Sequence, residues 1–81
     1  MSMPNKEKFI NAFAEALQID PELITDDVKY QSIPEWDSIS HMVLITELED
    51  AFDISIDTDD VIDMNSVGKA KEILAKYSIT V

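Results

Sequence analysis

Glu35-Trp36-Asp37-Ser38-Ile39-Ser40-His41-Met42-Val43-Leu44-Ile45-Thr46-Glu47-Leu48-Glu49-Asp50-Ala51-Phe52 is the stretch on which the fold turns. Ser38 to Phe52 reads as a helix. Ile39, Met42, Val43, Leu44, Ile45, Leu48 and Phe52 recur at three- and four-residue spacing, which places them along one broad helical face. Asp37 or Ser38 stands where an N-cap oxygen is needed. A face this broad suits a helix that touches a core on one side and a partner on the other. Glu47, Glu49 and Asp50 crowd its C-terminal end, where the helix dipole disfavours acids. Acids set against a local preference suggest a binding surface; the plainer reading is a solvated face.

Working outward, Met3 to Gln18 reads as a first amphipathic helix through Phe9, Ile10, Phe13 and Leu17. Ser2 or Asn5 is its expected cap, with Pro4 tolerated in the first turn. Ile19 to Asp37 reads as a long loop. Within it, Asp20-Pro21-Glu22 is a capped turn, with Asp as acceptor and Pro fixing φ. Leu23, Ile24, Val28, Tyr30, Ile33 and Trp36 are spaced irregularly along it, which predicts a loop pinned to the core rather than a free linker. Pro34 disfavours helix at Ile33.

On the other side, Ile54-Ser55-Ile56 reads as a short extended piece. Asp57 or Thr58 caps a brief helix through Val61, Ile62 and Met64. Ser66 caps a last helix, Val67 to Lys76, with Val67, Ala70, Ile73, Leu74 and Tyr77 inward. The expected fold class is all-α: a four-helix bundle of three main helices and one short one, with a long ordered loop between helices one and two. Phe9, Phe13, Leu23, Ile45, Leu48, Phe52, Ile54, Ile73 and Leu74 are the expected core, with Trp36 and Tyr30 covering its loop side.

The chain has 81 residues, 46% of them apolar, which fits a single domain over residues 1–81. It carries 17 Asp and Glu against 6 Lys and Arg, a formal charge of −11. That sign argues against nucleic acid, whose binding rests on Lys and Arg releasing counterions, and against anionic membrane surfaces. It favours partners with basic patches, found by electrostatic steering. The charge is polarised along the chain. No Lys or Arg lies between Tyr30 and Gly68, while Glu35 to Asp63 holds ten acids. With no Cys, there is no disulfide or thiolate metal site, and any thiol chemistry has to come from an attached group. No signal peptide is legible at the N-terminus. The longest apolar run, Met42 to Ile45, is too short for stable membrane insertion. A cytoplasmic location is therefore expected.

The Glu35 to Phe52 stretch resembles the phosphopantetheine attachment motif of the acyl carrier family, whose core is Asp-Ser-Leu at the start of the second helix. Leu17-Gln18-Ile19-Asp20-Pro21-Glu22, Glu47-Leu48-Glu49 with Phe52, and Asp59-Asp60 with Val67 to Leu74 extend the resemblance over nearly the whole chain. It implies a covalent cofactor, 4′-phosphopantetheine from coenzyme A, placed on Ser38 by a phosphopantetheinyl transferase. Asp37 is implied to orient Ser38 and to contact that enzyme or its metal ion. A helix N-terminus favours the negative phosphodiester through free N–H groups and the dipole. The resemblance further implies a monomer that does no catalysis. Its arm holds acyl groups and presents them to acyl-transfer, synthase or ligase enzymes. Ile39, Met42 and Thr46 are then the docking face, Glu47, Glu49 and Asp50 its acidic contacts, and His41 a neighbour that tunes this surface near neutral pH.

Three departures bear on the pathway. Ile39 replaces the usual Leu. Ser40 and Val43 stand where fatty-acid carriers often have acids. Trp36 replaces a common small residue. Fatty-acid, polyketide and related biosynthesis all stay open, with a specialised pathway favoured.

Rival readings fit less well. A peptidyl or aminoacyl carrier usually has a Gly pair where Glu35-Trp36 stands. An unmodified acidic interaction module would leave Ser38 as an ordinary cap. A Ser38–His41–Asp37 hydrolase lacks a Gly-rich elbow and has Asp37 beside the serine rather than behind the base. An EF-hand on Asp53, Ser55, Asp57 and Asp59 fails at positions six and twelve, which are Thr58 and Met64. Loose divalent-ion binding by Asp57, Asp59, Asp60 and Asp63 stays open, with no metal site assigned.

Overall fold

The computed structural model describes residues 4–81. It is all-helical, with α1 (Asn5–Leu17), a 3₁₀ turn (Pro21–Leu23), α2 (Ser38–Phe52), α3 (Thr58–Asp63) and α4 (Val67–Lys76). The expected starts at Ser2 and Met3 lie outside the described residues. Asn5 does not cap α1. Pro4 occupies the cap position with no side-chain cap bond, and the Asn5 amide instead donates to the Thr80 carbonyl, tying the two ends of the chain. At the other end of α1, Gln18 takes the left-handed conformation at φ 55°, a common way to close a helix.

Phe9, Phe13, Leu44, Leu48, Met64, Val67, Ile73 and Leu74 fill the centre with Trp36. They come from α1, α2 and α4, from the C-cap of α3 at Met64 and from the loop, so the core draws on every part of the chain. Phe52 and Ile54 are half-buried at its rim. Leu23 was expected in the core and is instead 60% exposed. The reason is local. Asp20 accepts the Glu22 amide and sets the 3₁₀ turn, and the neighbour Ile24 is the one that turns inward. Adjacent residues cannot both face the core from so tight a turn.

The long loop is ordered because it pairs with the segment between α3 and α4 and with the first turn of α4. Tyr30 N–H donates to Asn65, Val67 N–H to Val28 and Gly68 N–H to Asp26. These bonds satisfy backbone groups that a structureless loop would leave to solvent. Lys71 adds a 2.7 Å ion pair to Asp26, exposed and therefore of small weight.

The short α3 is held from the α4 side by Asp60. This carboxylate is 5% exposed. It pairs with the Lys76 ammonium and accepts the Tyr77 hydroxyl at 2.7 Å. That hydroxyl also accepts the Asp57 amide at the start of α3. Lys76 first, and then Tyr77, hold the Asp60 carboxyl below the ordinary carboxylate range. A lowered folded-state value gives stability that is present above the unfolded value and lost as pH falls through the folded one. Asp60→Asn is therefore expected to unfold at lower urea than the native chain at pH 7. That gap should close below about pH 4, where an unfolded Asp is protonated. Urea titrations of both chains at the two pH values check this; an equal gap at both would rule out the ion pair as its source.

Candidate functional site

The site is built at the start of α2. Asp37 is extended at the cap position, and its Oδ1 accepts the amides of Ile39 at 3.1 Å and Ser40 at 2.9 Å. Ser40 reciprocates: its hydroxyl accepts the Asp37 amide at 2.9 Å and donates to the Glu35 carbonyl at 2.6 Å. This is a capping box, two orphan helix-end donors satisfied by two side chains. The Ser40 amide is the main cause holding the Asp37 carboxyl below its ordinary value, with the Ser40 hydroxyl and Ile39 amide adding and desolvation opposing. Asp37 is thus firmly anionic at neutral pH.

Ser38 follows as the first helical residue and is exposed. The expectation of free N–H groups around it needs correction. The Ile39 and Ser40 amides are engaged by Asp37, and the His41 amide by the Asp37 carbonyl. What remains to favour an anion on Ser38 is chiefly the helix dipole. A groove of about 430 Å³ opens beside it. Leu17, Pro34, Ile39 and Val43 are among its lining residues.

The broad apolar face of α2 divides in two. Leu44, Ile45 and Leu48 face the core, while Ile39 at 78% exposure, Met42 at 59% and Val43 face outward. Thr46 is exposed on the same side, its hydroxyl bonded back to the Met42 carbonyl. The three acids diverge. Asp50 is exposed. Glu49 is half-buried and accepts the Ile56 amide at 2.8 Å, which fixes the chain between α2 and α3. Glu47 turns toward α1, where burial first and the Glu15 carboxyl second raise its pKa.

His41 does not lie on the outer surface as expected. It is half-buried, stacked on Trp36 and bonded to it. Trp36 lies against the core as expected; the sequence reading missed its bond to His41 and the part of Ser40 in the cap. For Ser40 the signal was present, since a hydroxyl three residues after an Asp cap is a capping-box pattern. For the Trp36 bond it was not, because the acceptor of a loop indole depends on which helix closes over it. Among Asp57, Asp59, Asp60 and Asp63, Asp60 is turned inward onto Lys76 and is not part of an outward cluster. Among the described residues no helix is long and apolar enough to cross a membrane.

Comparison with known proteins bears on what such a serine carries. The sequence model of the family described as "Phosphopantetheine attachment site" matches residues 7–74. The chain is 33% identical over 70 residues to an acyl carrier protein of Lactobacillus johnsonii, a match that covers 86% of this chain and 88% of that one. The group carried by this family is 4′-phosphopantetheine, and its members serve as carriers rather than catalysts. The residues present suit such a group: a serine exposed at a helix start, with open space beside it. The family match reaches from α1 into α4, and the chain belongs to the phosphopantetheine-attachment family of carrier proteins.

Proposed function

We propose that residues 1–81 form a single acyl carrier domain in which Ser38 receives the 4′-phosphopantetheine arm. The observation that carries this reading is the exposure of Ser38 in the first turn of α2, directly after the Asp37 cap. In the modification, the Ser38 oxygen forms a bond to phosphorus. A bond in the pyrophosphate of coenzyme A breaks, the nucleotide leaves, and the hydroxyl proton passes to a base of the transferase. The arm supplies a terminal thiol that holds acyl groups as thioesters. This chain's own residues hold the serine out, keep Asp37 ionised beside it and offer a surface for docking. Asp37 Oδ1 is occupied by the helix, which leaves its other oxygen to meet the transferase or its metal ion.

The partners on this reading are the transferase and acyl-transfer, synthase or ligase enzymes with basic patches, in fatty-acid, polyketide or related biosynthesis. Ile39, Met42 and Thr46 form the docking face, and Asp50, with the exposed edges of Glu47 and Glu49, its acidic border. The chain acts as a cytoplasmic monomer.

The test is intact mass after incubation with coenzyme A, magnesium and a promiscuous phosphopantetheinyl transferase. A gain of one phosphopantetheine supports the carrier reading. No gain on folded protein, with a known carrier modified alongside, favours an unmodified interaction module. The docking face has its own expected result. Met42→Glu places a charge on an exposed apolar contact, so KM for the transferase should rise about tenfold, as for loss of an interface contact of about 1.4 kcal/mol. Stability should change by no more than about 0.5 kcal/mol. Steady-state kinetics and thermal melts measure the two; an unchanged KM would remove Met42 from the docking face.

A further inference from the structure

The single histidine and the single tryptophan of this chain are bonded to each other. Trp36 Nε1 lies 3.0 Å from His41 Nδ1, and His41 Nε2 lies 2.8 Å from the Val61 carbonyl oxygen in α3. An indole N–H only donates and a carbonyl only accepts. The two bonds together therefore fix one form of the ring: Nδ1 bare, and Nε2 protonated and donating to Val61. Neutral imidazole is the state that makes both.

What the ring joins is as informative as how it joins it. Trp36 lies two residues before Ser38. Its own backbone is fixed within the loop, its N–H donating to Ile33 and its carbonyl accepting from Gln31. Its indole meets Phe13 of α1 edge-on at 5.4 Å and Tyr30 at 6.2 Å. On the far side of the ring, Val61 is followed by Ile62, which is 73% exposed. His41 thus ties the peptide that delivers Ser38 to the turn of α3 that presents Ile62. Asp60 holds α3 to α4 but reaches nothing at the start of α2.

We propose that His41 is a positioning residue for arm attachment: it sets α3, with its exposed Ile62, in register with Ser38 so that the transferase meets one pre-formed surface. The inference rests on the carrier reading above. The ring touches neither the serine nor the arm, so its effect belongs in recognition rather than in the chemical step. Fixing a surface before docking reduces the ordering cost of binding.

Two substitutions separate the bonds. In His41→Asn the short amide reaches Trp36 but not Val61. In His41→Gln the longer amide carries an acceptor and a donor far enough out for both. The indole N–H of the lone tryptophan gives one resonance, whose hydrogen exchange reports the Trp36 bond in folded protein. Expected for His41→Asn is a protected indole, a KM for the carrier raised about tenfold with coenzyme A and a promiscuous transferase, and kcat within twofold of native. His41→Gln should bring KM back to within about threefold of native. Native protein that takes no arm would sink the carrier reading and this inference with it. Native protein that takes the arm while His41→Asn keeps its KM, or while His41→Gln fails to restore it, would sink this inference alone.

Discussion

Ser38→Ala is expected to abolish arm attachment completely and to leave the bundle folded. Both halves follow from the position. The Ser38 side chain is exposed and takes no part in the cap bonds at the start of α2. The cap is supplied by Asp37 and its reciprocal partner is Ser40. Alanine is the best helix former, so a change within about 0.5 kcal/mol is expected for a surface substitution of this kind. The other serines among the described residues are poor substitutes for the nucleophile. Ser40 is bonded to the Glu35 carbonyl, Ser32 to Lys29 backbone atoms and Ser66 to the Lys69 amide. Ser55 and Ser78 are exposed but stand at no helix start. Intact mass and a thermal melt decide the matter. A variant that still gains the arm would move the site to another residue. A variant that fails to fold would show that the Ser38 hydroxyl holds structure rather than cargo.

The helices were legible from periodicity and caps. Ser38 to Phe52 and Val67 to Lys76 have the boundaries expected of them, because each begins at a side chain that accepts from its own first turn. Asp37 does this through a 2.9 Å bond and Ser66 through a 3.0 Å one. The start of α1 was less legible, since Pro4 takes the cap position with no side-chain oxygen to mark it. Inside the loop the limits of the reading are clearest. Leu23 and Ile24 are both strongly apolar neighbours, and only where the 3₁₀ turn sits against the core decides which is buried. His41 carries the same lesson for the site. Its spacing from Ser38 gave the right helix and nothing about the ring, whose two partners lie five and twenty residues away. Glu49 looked like a surface acid and holds the Ile56 amide. Pattern identifies which residues share a face, but the partners of a polar atom depend on the packing of distant segments.

Trp36→Ala is the substitution expected to cost the fold most. Trp36 is fully buried, although it comes from the loop. Its indole has Phe13 at 5.4 Å and Tyr30 at 6.2 Å, both near perpendicular, and His41 stacked at 6.0 Å. Truncation leaves a large cavity at the junction of α1, α2 and the loop, where a loss of about 3–5 kcal/mol is typical for a buried aromatic. It also strips the His41 Nδ1 of its donor. Domains of this length have about 4–12 kcal/mol in total, so the variant should be near the edge of folding at room temperature. Trp36→Phe keeps most of the buried ring but not the N–H, and should lose roughly 1–2 kcal/mol, the cost of a partly filled site and an unpaired acceptor. Helical circular dichroism against urea measures both, since the substitutions remove the only tryptophan. If Trp36→Ala were no less stable than Trp36→Phe, the loop would be closing over the space, and Trp36 would not be the element that locks the segment leading into Ser38. If the two differ as expected, the residue that replaces a small side chain before the Asp-Ser step is a wedge between loop and bundle. The entry to α2 is then fixed by the core as well as by its cap.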